Sequence, residues 1–140
     1  SSCKLADGGS FVDAMGASEQ RECPAGSFSG SASGKCDDCA AGTFQVLTGQ
    51  SSCALAGQGF YAGNTGASEQ TAIDCEAGTY QGAIGESSCK IAEAGSFVDV
   101  AGASRQRPCP AGSFCPAGSF SGSGASECLD CEAGTYQDAT

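Results

Sequence analysis

Histidine and tryptophan are absent from this chain, methionine occurs once, and lysine and arginine together number 6 among 140 residues. Without histidine, neither a Ser–His nor a Cys–His nucleophile pair is possible within the chain, and zinc would have to be held without imidazole. With 16 acidic residues the formal net charge is −10. That balance excludes nucleic acid as a partner, because phosphate neutralisation needs clustered cations. It disfavours anionic membrane surfaces for the same reason. The acidic residues are scattered, as on a solvated surface, which leaves weak Ca²⁺ binding as the lesser reading. No apolar run approaches the roughly 18 residues needed to span a bilayer. No Gly-x-x-x-x-Gly-Lys phosphate loop occurs. The single asparagine, Asn64, precedes Thr65-Gly66 and is not a glycosylation sequon. Asp37 and Asp38 are adjacent and expected to be solvated, which is unlike an acid/base pair. The reading is of a chain without enzyme activity or cofactor. It begins in mid-pattern at Ser1-Ser2-Cys3, with no initiator methionine or signal peptide, and is expected to be a segment of something longer.

What is abundant is glycine, with 22 residues, and cysteine, with 11. Such a composition points to a scaffold held by covalent cross-links rather than by a large apolar core, in an oxidising compartment: secreted or at the cell surface. The chain is also periodic. Besides a stub at Cys109, five units open with Cys-x-x-Gly-Ser/Thr-Phe/Tyr, at Cys23, Cys39, Cys75, Cys115 and Cys131. The first four close at Cys36, Cys53, Cys89 and Cys128. Three more copies, 6–20, 56–70 and 92–106, carry Ala in place of the first cysteine and Gln in place of the second. The whole chain then reads as one array: 6–20, 23–36, 39–53, 56–70, 75–89, 92–106, a stub at 109–114, 115–128, and a truncated 131–140. The commonest spacing between successive openings is 17 residues, as from Ala6 to Cys23 and from Ala92 to Cys109. The stub is a tandem copy, Cys109-Pro-Ala-Gly-Ser-Phe114 followed at once by Cys115-Pro-Ala-Gly-Ser-Phe120.

Glycine at the fourth place suits a tight backbone, and Ser/Thr with an aromatic suits a short strand. The spacing predicts a small disulfide-rich all-β fold. Irregular hairpins of about 17 residues stack into an elongated rod, with little regular secondary structure and no helix of note. Each hairpin returns through Gly-x-Ser-x-Cys, and a disulfide joins its ends. The register gives Cys23–Cys36, Cys39–Cys53, Cys75–Cys89 and Cys115–Cys128. Cys3 and Cys131 seek partners outside the segment, and Cys109 is unassigned. A rival scheme pairs Cys3–Cys23, Cys53–Cys75 and Cys89–Cys109, leaving Cys36 and Cys39 to each other. The aromatics Phe11, Phe28, Phe44, Tyr61, Tyr80, Phe97, Phe120 and Tyr136, with Phe114 in the stub, share one phase and read as a ladder of core spacers rather than a ligand stripe. Cys36-Asp-Asp-Cys39 and Cys128-Leu-Asp-Cys131 fall at junctions between hairpins and read as structural, not as redox or zinc motifs. Ser27, Ser29, Ser31 and Ser33, and Ser119, Ser121 and Ser123, are either turn residues or O-glycan acceptors. The Ala/Gln repeats are expected to be softer joints.

Cys23-Pro-Ala-Gly-Ser-Phe-Ser29, Cys36-Asp-Asp-Cys39-Ala-Ala-Gly-Thr-Phe-Gln45 and Ser51-Ser-Cys53 resemble the ephrin-receptor-like cysteine-rich repeat, also called the GCC2/GCC3 type. In its staples the chain is similar to tumour-necrosis-factor-receptor and EGF-like modules. The Gly-Ala-Ser-x-Gln variant resembles tandem arrays in large surface proteins of algae, protists and some bacteria. The resemblance implies a secreted structural protein that self-assembles or joins other extracellular proteins in a filament, a surface appendage such as a flagellar hair, or a cell coat. The other implied role is the stalk or ligand-binding region of a receptor or adhesin.

Overall fold

The computed structural model describes residues 2–68, 73–116, 124–133 and 135. No helix occurs among them. Among the described residues there are fourteen strands of two residues each, joined in seven pairs, and the six whose register is described are antiparallel. β1 (Ser10–Phe11) pairs with β2 (Arg21–Glu22), and β3 (Ser27–Phe28) with β4 (Asp37–Asp38). β5 (Thr43–Phe44) pairs with β6 (Ala54–Leu55), and β7 (Phe60–Tyr61) with β8 (Ile73–Asp74). β9 (Thr79–Tyr80) pairs with β10 (Lys90–Ile91), β11 (Ser96–Phe97) with β12 (Arg107–Pro108), and β13 (Ser113–Phe114) with β14 (Leu129–Asp130).

Each motif strand therefore pairs with the two residues that precede the next opening position, as Phe28 opposite Asp37 shows. The expected return through Gly-x-Ser-x-Cys is not the partner. That stretch turns back on the chain, and the join to the next repeat supplies the strand. The motif chemistry explains the turn that launches each strand. In Ala40-Ala41-Gly42-Thr43 the Thr43 amide donates to the Ala40 carbonyl at 2.9 Å, and the Thr43 hydroxyl donates to the same oxygen at 2.7 Å. Gly42 sits third with φ 87°, as a type II turn requires.

Three backbone hydrogen bonds then tie consecutive repeats. The opening amide donates back to the preceding motif glycine, as Cys39 to Gly26 at 2.9 Å and Cys109 to Gly95 at 2.8 Å. The motif glycine amide donates forward, as Gly42 to Ala62 at 2.7 Å and Gly78 to Val98 at 2.7 Å. The amide four places before the closing position donates back to the preceding opening carbonyl, as Gly49 to Cys23 and Gly102 to Cys75, both at 2.8 Å. Because these bonds use main chain alone, the lattice tolerates Ala or Cys at the opening place.

The chain divides into two compact bodies, interleaved in sequence. The first comprises Ser1–Gly57, Tyr61–Ile73 and Gly85–Ser87; the second comprises Gln58–Phe60, Asp74–Ile84 and Ser88–Thr140. In the first, Ala6, Cys23, Cys39 and Ala56 are buried, and Phe44 packs on Ala56, Ala62 and Ala67. In the second, Cys75, Ala92, Val98 and Gln81 are buried. Such small side chains contribute little transfer free energy, at about 0.8 kcal/mol per buried methylene. Covalent and polar staples therefore matter more than the core. The aromatics are not that core. Phe11, Phe28, Phe44, Tyr61, Tyr80 and Phe97 are half-buried, and Phe114 is exposed. The residue after the ring is buried at Ser29, Ala62, Gln81 and Val98, while Phe11 and Phe97 lie under Arg21 and Arg107 of the join. Phe120 and Tyr136 lie outside the described residues.

Candidate functional site

Disulfides join Cys23 to Cys36, Cys39 to Cys53 and Cys75 to Cys89, with Cα–Cα distances of 5.7, 5.8 and 5.7 Å. Cys36 and Cys39 thus bond outward, each within its own repeat, and the rival pairing does not occur. The fourth staple differs from the expectation of Cys115–Cys128. Cys109 lies in bonding contact with both Cys115 and Cys128, and Cys109–Cys128, Cα–Cα 5.9 Å across a sequence separation of 19, is the one of the two that ties an opening to a closing cysteine. The backbone explains the correction. The Cys109 amide donates to the Gly95 carbonyl, as the Cys23, Cys39, Ala56, Cys75 and Ala92 amides do to the motif glycine before them, and its strand Ser113–Phe114 pairs with Leu129–Asp130. The 109–114 copy is therefore a full opening. Cys115 is not displaced far: the Sγ atoms of Cys109, Cys115 and Cys128 all lie within 4.8 Å of one another. Cys109 is within bonding reach of both others, and Cys115 Sγ lies 3.1 Å from Cys128 Sγ. One sulfur forms one disulfide, so three sulfurs leave one thiol. Cys3, exposed, and Cys131, partly buried, also carry free thiols.

Repeats without cysteine carry a polar staple instead. In 6–20 the Gln20 side chain accepts from the Asp7 amide at 2.9 Å and donates to the Asp7 carboxylate at 2.7 Å. In 92–106 Gln106 accepts from the Glu93 amide at 2.7 Å and donates to the Glu93 carboxylate at 3.2 Å. A second clip lies beside each. Arg21 pairs with Asp13 and stacks 4.8 Å over Phe11, while Arg107 pairs with Asp99 and stacks 4.8 Å over Phe97. In 56–70 the place of Asp7 and Glu93 is taken by Gly57, and Gln70 lies outside the described residues.

Sequence reasoning missed a further glutamine. Gln81 follows the aromatic, is 1% exposed, donates to the Ser88 carbonyl at 2.7 Å and accepts from the Ala83 amide at 3.0 Å. Gln45 does the same with Ser52 and Leu47. The signal was available: both glutamines hold one phase in stapled repeats.

Ser27 and Ser29, read as possible O-glycan acceptors, are 4% and 1% exposed. Their hydroxyls donate to the Pro24 and Ser10 carbonyls at 2.8 and 2.9 Å, so neither has room for a sugar. Ser33 is half-buried and donates to Gly30, and Ser31 is exposed. Ser119, Ser121 and Ser123 lie outside the described residues. An open groove of about 230 Å³ is lined by Phe97, Val98, Asp99, Val100, Arg105 and Arg107. Its Arg107 is already engaged by Asp99.

No curated protein matches the chain. Residues 26–72 match the family model described as tyrosine-protein kinase ephrin type A/B receptor-like. That stretch runs from the motif glycine of one stapled repeat, through Cys36, Cys39 and Cys53, to the join before Cys75, and it is an ephrin-receptor-like cysteine-rich region.

Proposed function

We propose that the chain is part of a structural extracellular repeat protein that forms or coats a filament, a surface appendage of the flagellar-hair kind, or a cell coat. One observation carries this reading. The staples close each repeat on itself, and the main-chain groups of the opening, motif-glycine and turn positions are spent on holding the neighbouring repeats. The motif glycine abuts the turn glycine two repeats on, as Gly9 does Gly49 and Gly59 does Gly102. Side chains are small where repeats meet, and the larger apolar residues face outward, including Leu5, Met15, Leu47 and Val100. This is the economy of a lattice that transmits load, and its partners are further copies or other extracellular proteins. The disulfides and the ephrin-receptor-like region support an extracellular setting. No helix among the described residues is long and apolar enough to cross a membrane.

The second reading is a receptor or adhesin stalk, and the family match at 26–72 favours it. Electron microscopy of native material before and after reduction separates the two. Threads that fray on reduction are expected of a filament protein, whereas short separate particles in both conditions overturn it in favour of the stalk.

A further inference from the structure

The duplicated Cys-Pro-Ala-Gly-Ser-Phe segment gives the last described repeat two opening cysteines, Cys109 and Cys115, and one closing cysteine, Cys128. Both pairings are compatible with the repeat. Cys109–Cys128 keeps the backbone register to Gly95 and closes across 19 residues. Cys115–Cys128 has a separation of 13, the same as Cys23–Cys36. In the structure the third sulfur is not turned away to solvent. Cys115 is partly buried and stands 3.1 Å from Cys128 Sγ, with all three sulfurs inside 4.8 Å.

We propose that Cys109, Cys115 and Cys128 form a thiol–disulfide exchange site, in which one disulfide passes between the two openings and one thiol is always left over. The Cys115 thiolate attacks Cys128 Sγ. The Cys115–Cys128 bond forms, the Cys109–Cys128 bond breaks, and Cys109 leaves with the electron pair as a thiolate that takes a proton from water. The reverse step restores the first pairing. No oxidant or reductant is consumed, because one disulfide and one thiol are present on each side. The consequence is a repeat whose staple changes its opening, and which presents a nucleophilic sulfur to thiol or disulfide reagents at either Cys109 or Cys115. Three thiolates would otherwise suit a soft metal ion. The repeat register argues for a disulfide, because the six other described repeats each bridge their ends or carry the Ala/Gln pair in place of cysteines.

The test uses the full chain carrying Cys3→Ser and Cys131→Ser, which removes the other two free thiols. Free thiols are blocked with N-ethylmaleimide, the chain is cleaved after Phe114 and Glu127, and the labelled cysteine is located by mass spectrometry. Label is expected on Cys109 in some molecules and on Cys115 in others, with a ratio that changes with reagent concentration, because slow trapping lets the pairings re-equilibrate. A label confined to one cysteine, or a ratio independent of reagent concentration, overturns the exchange. Cys109→Ser and Cys115→Ser should each retain a disulfide to Cys128 and lose all labelling. Free Cys115 and Cys128 in Cys109→Ser also overturns it, as does a native chain that holds a metal ion with all three thiols reduced.

Discussion

Ala32 is the one non-glycine residue with positive φ among the described residues, at 62°. The repeat frame explains it. Four places before the closing cysteine, other repeats put Gly49 and Gly85, whose amides donate to the opening carbonyl of the preceding repeat. In 23–36 that place is Ala32, whose amide donates to the Ala6 carbonyl at 2.7 Å. The hydrogen bond holds alanine in a region that costs an L-residue about 1–2 kcal/mol. Ala32→Gly removes that cost and adds unfolded-chain entropy of about 0.5–1 kcal/mol. The net expectation is a gain of about 0.5 kcal/mol in denaturant unfolding. Gly42→Ala runs the other way. Besides its φ of 87°, a Cβ there would overlap the Gly85 carbonyl. A loss of about 3 kcal/mol is expected, since backbone cannot step aside as a side chain can.

At the scale of the element, each hairpin needs its ends tied, and two chemistries do so. The glutamine staples of 6–20 and 92–106 are exposed, and hydrogen bonds of that kind contribute only about 0.5–1.5 kcal/mol each. The exposed Arg–Asp pairs add little more. A disulfide closing a loop of this length contributes about 3 kcal/mol in the chain-entropy model. Ala92 is buried at 9%, near the 0% of Cys75, so the opening place of 92–106 already has the environment of a cysteine. The double substitution Ala92→Cys with Gln106→Cys is expected to oxidise spontaneously and to raise unfolding free energy by about 2 kcal/mol after loss of the Gln106 contacts. Thiol counting by mass checks the bond, and denaturant unfolding checks the gain. Failure to form the bond would mean that the glutamine repeats do not share the geometry of the stapled ones.

At the scale of the whole molecule, the stability of a chain this length is only about 5–15 kcal/mol. The staples at Cys23, Cys39 and Cys75 together account for a comparable amount. Reduction followed by alkylation is therefore expected to unfold the chain. Hydrogen exchange followed by mass spectrometry reads this by segment. In the oxidised chain 6–20 and 92–106 should exchange faster than 23–36, 39–53 and 75–89, and after reduction that difference should vanish. Protection that persists in the reduced chain would show that main-chain stacking alone suffices. Contacts reach beyond nearest neighbours, since Gly26 abuts Gly66 and Gly78 abuts Gly124, each two repeats on. Loss of one repeat should therefore expose edges on both sides of it.

The sequence by itself determined what is local: where most repeats open, why a glycine with positive φ sits three places on, and why Ser or Thr follows; it left two cysteine pairings open, and the structure chose the pairs within 23–36, 39–53 and 75–89. The local features depend on turn geometry, which residue type and spacing express directly. Tertiary structure alone decided what depends on neighbouring repeats. Strand pairing fell to the joins because the neighbouring backbone, not the return, presents free donors and acceptors there. Ser29 became interior because its hydroxyl and amide are taken up by the repeats on either side, at Ser10 and Gln50. Gln20 and Gln106 became staples because Asp7 and Glu93 stand opposite. Cys109 became an opening because its amide meets the Gly95 carbonyl of the preceding repeat.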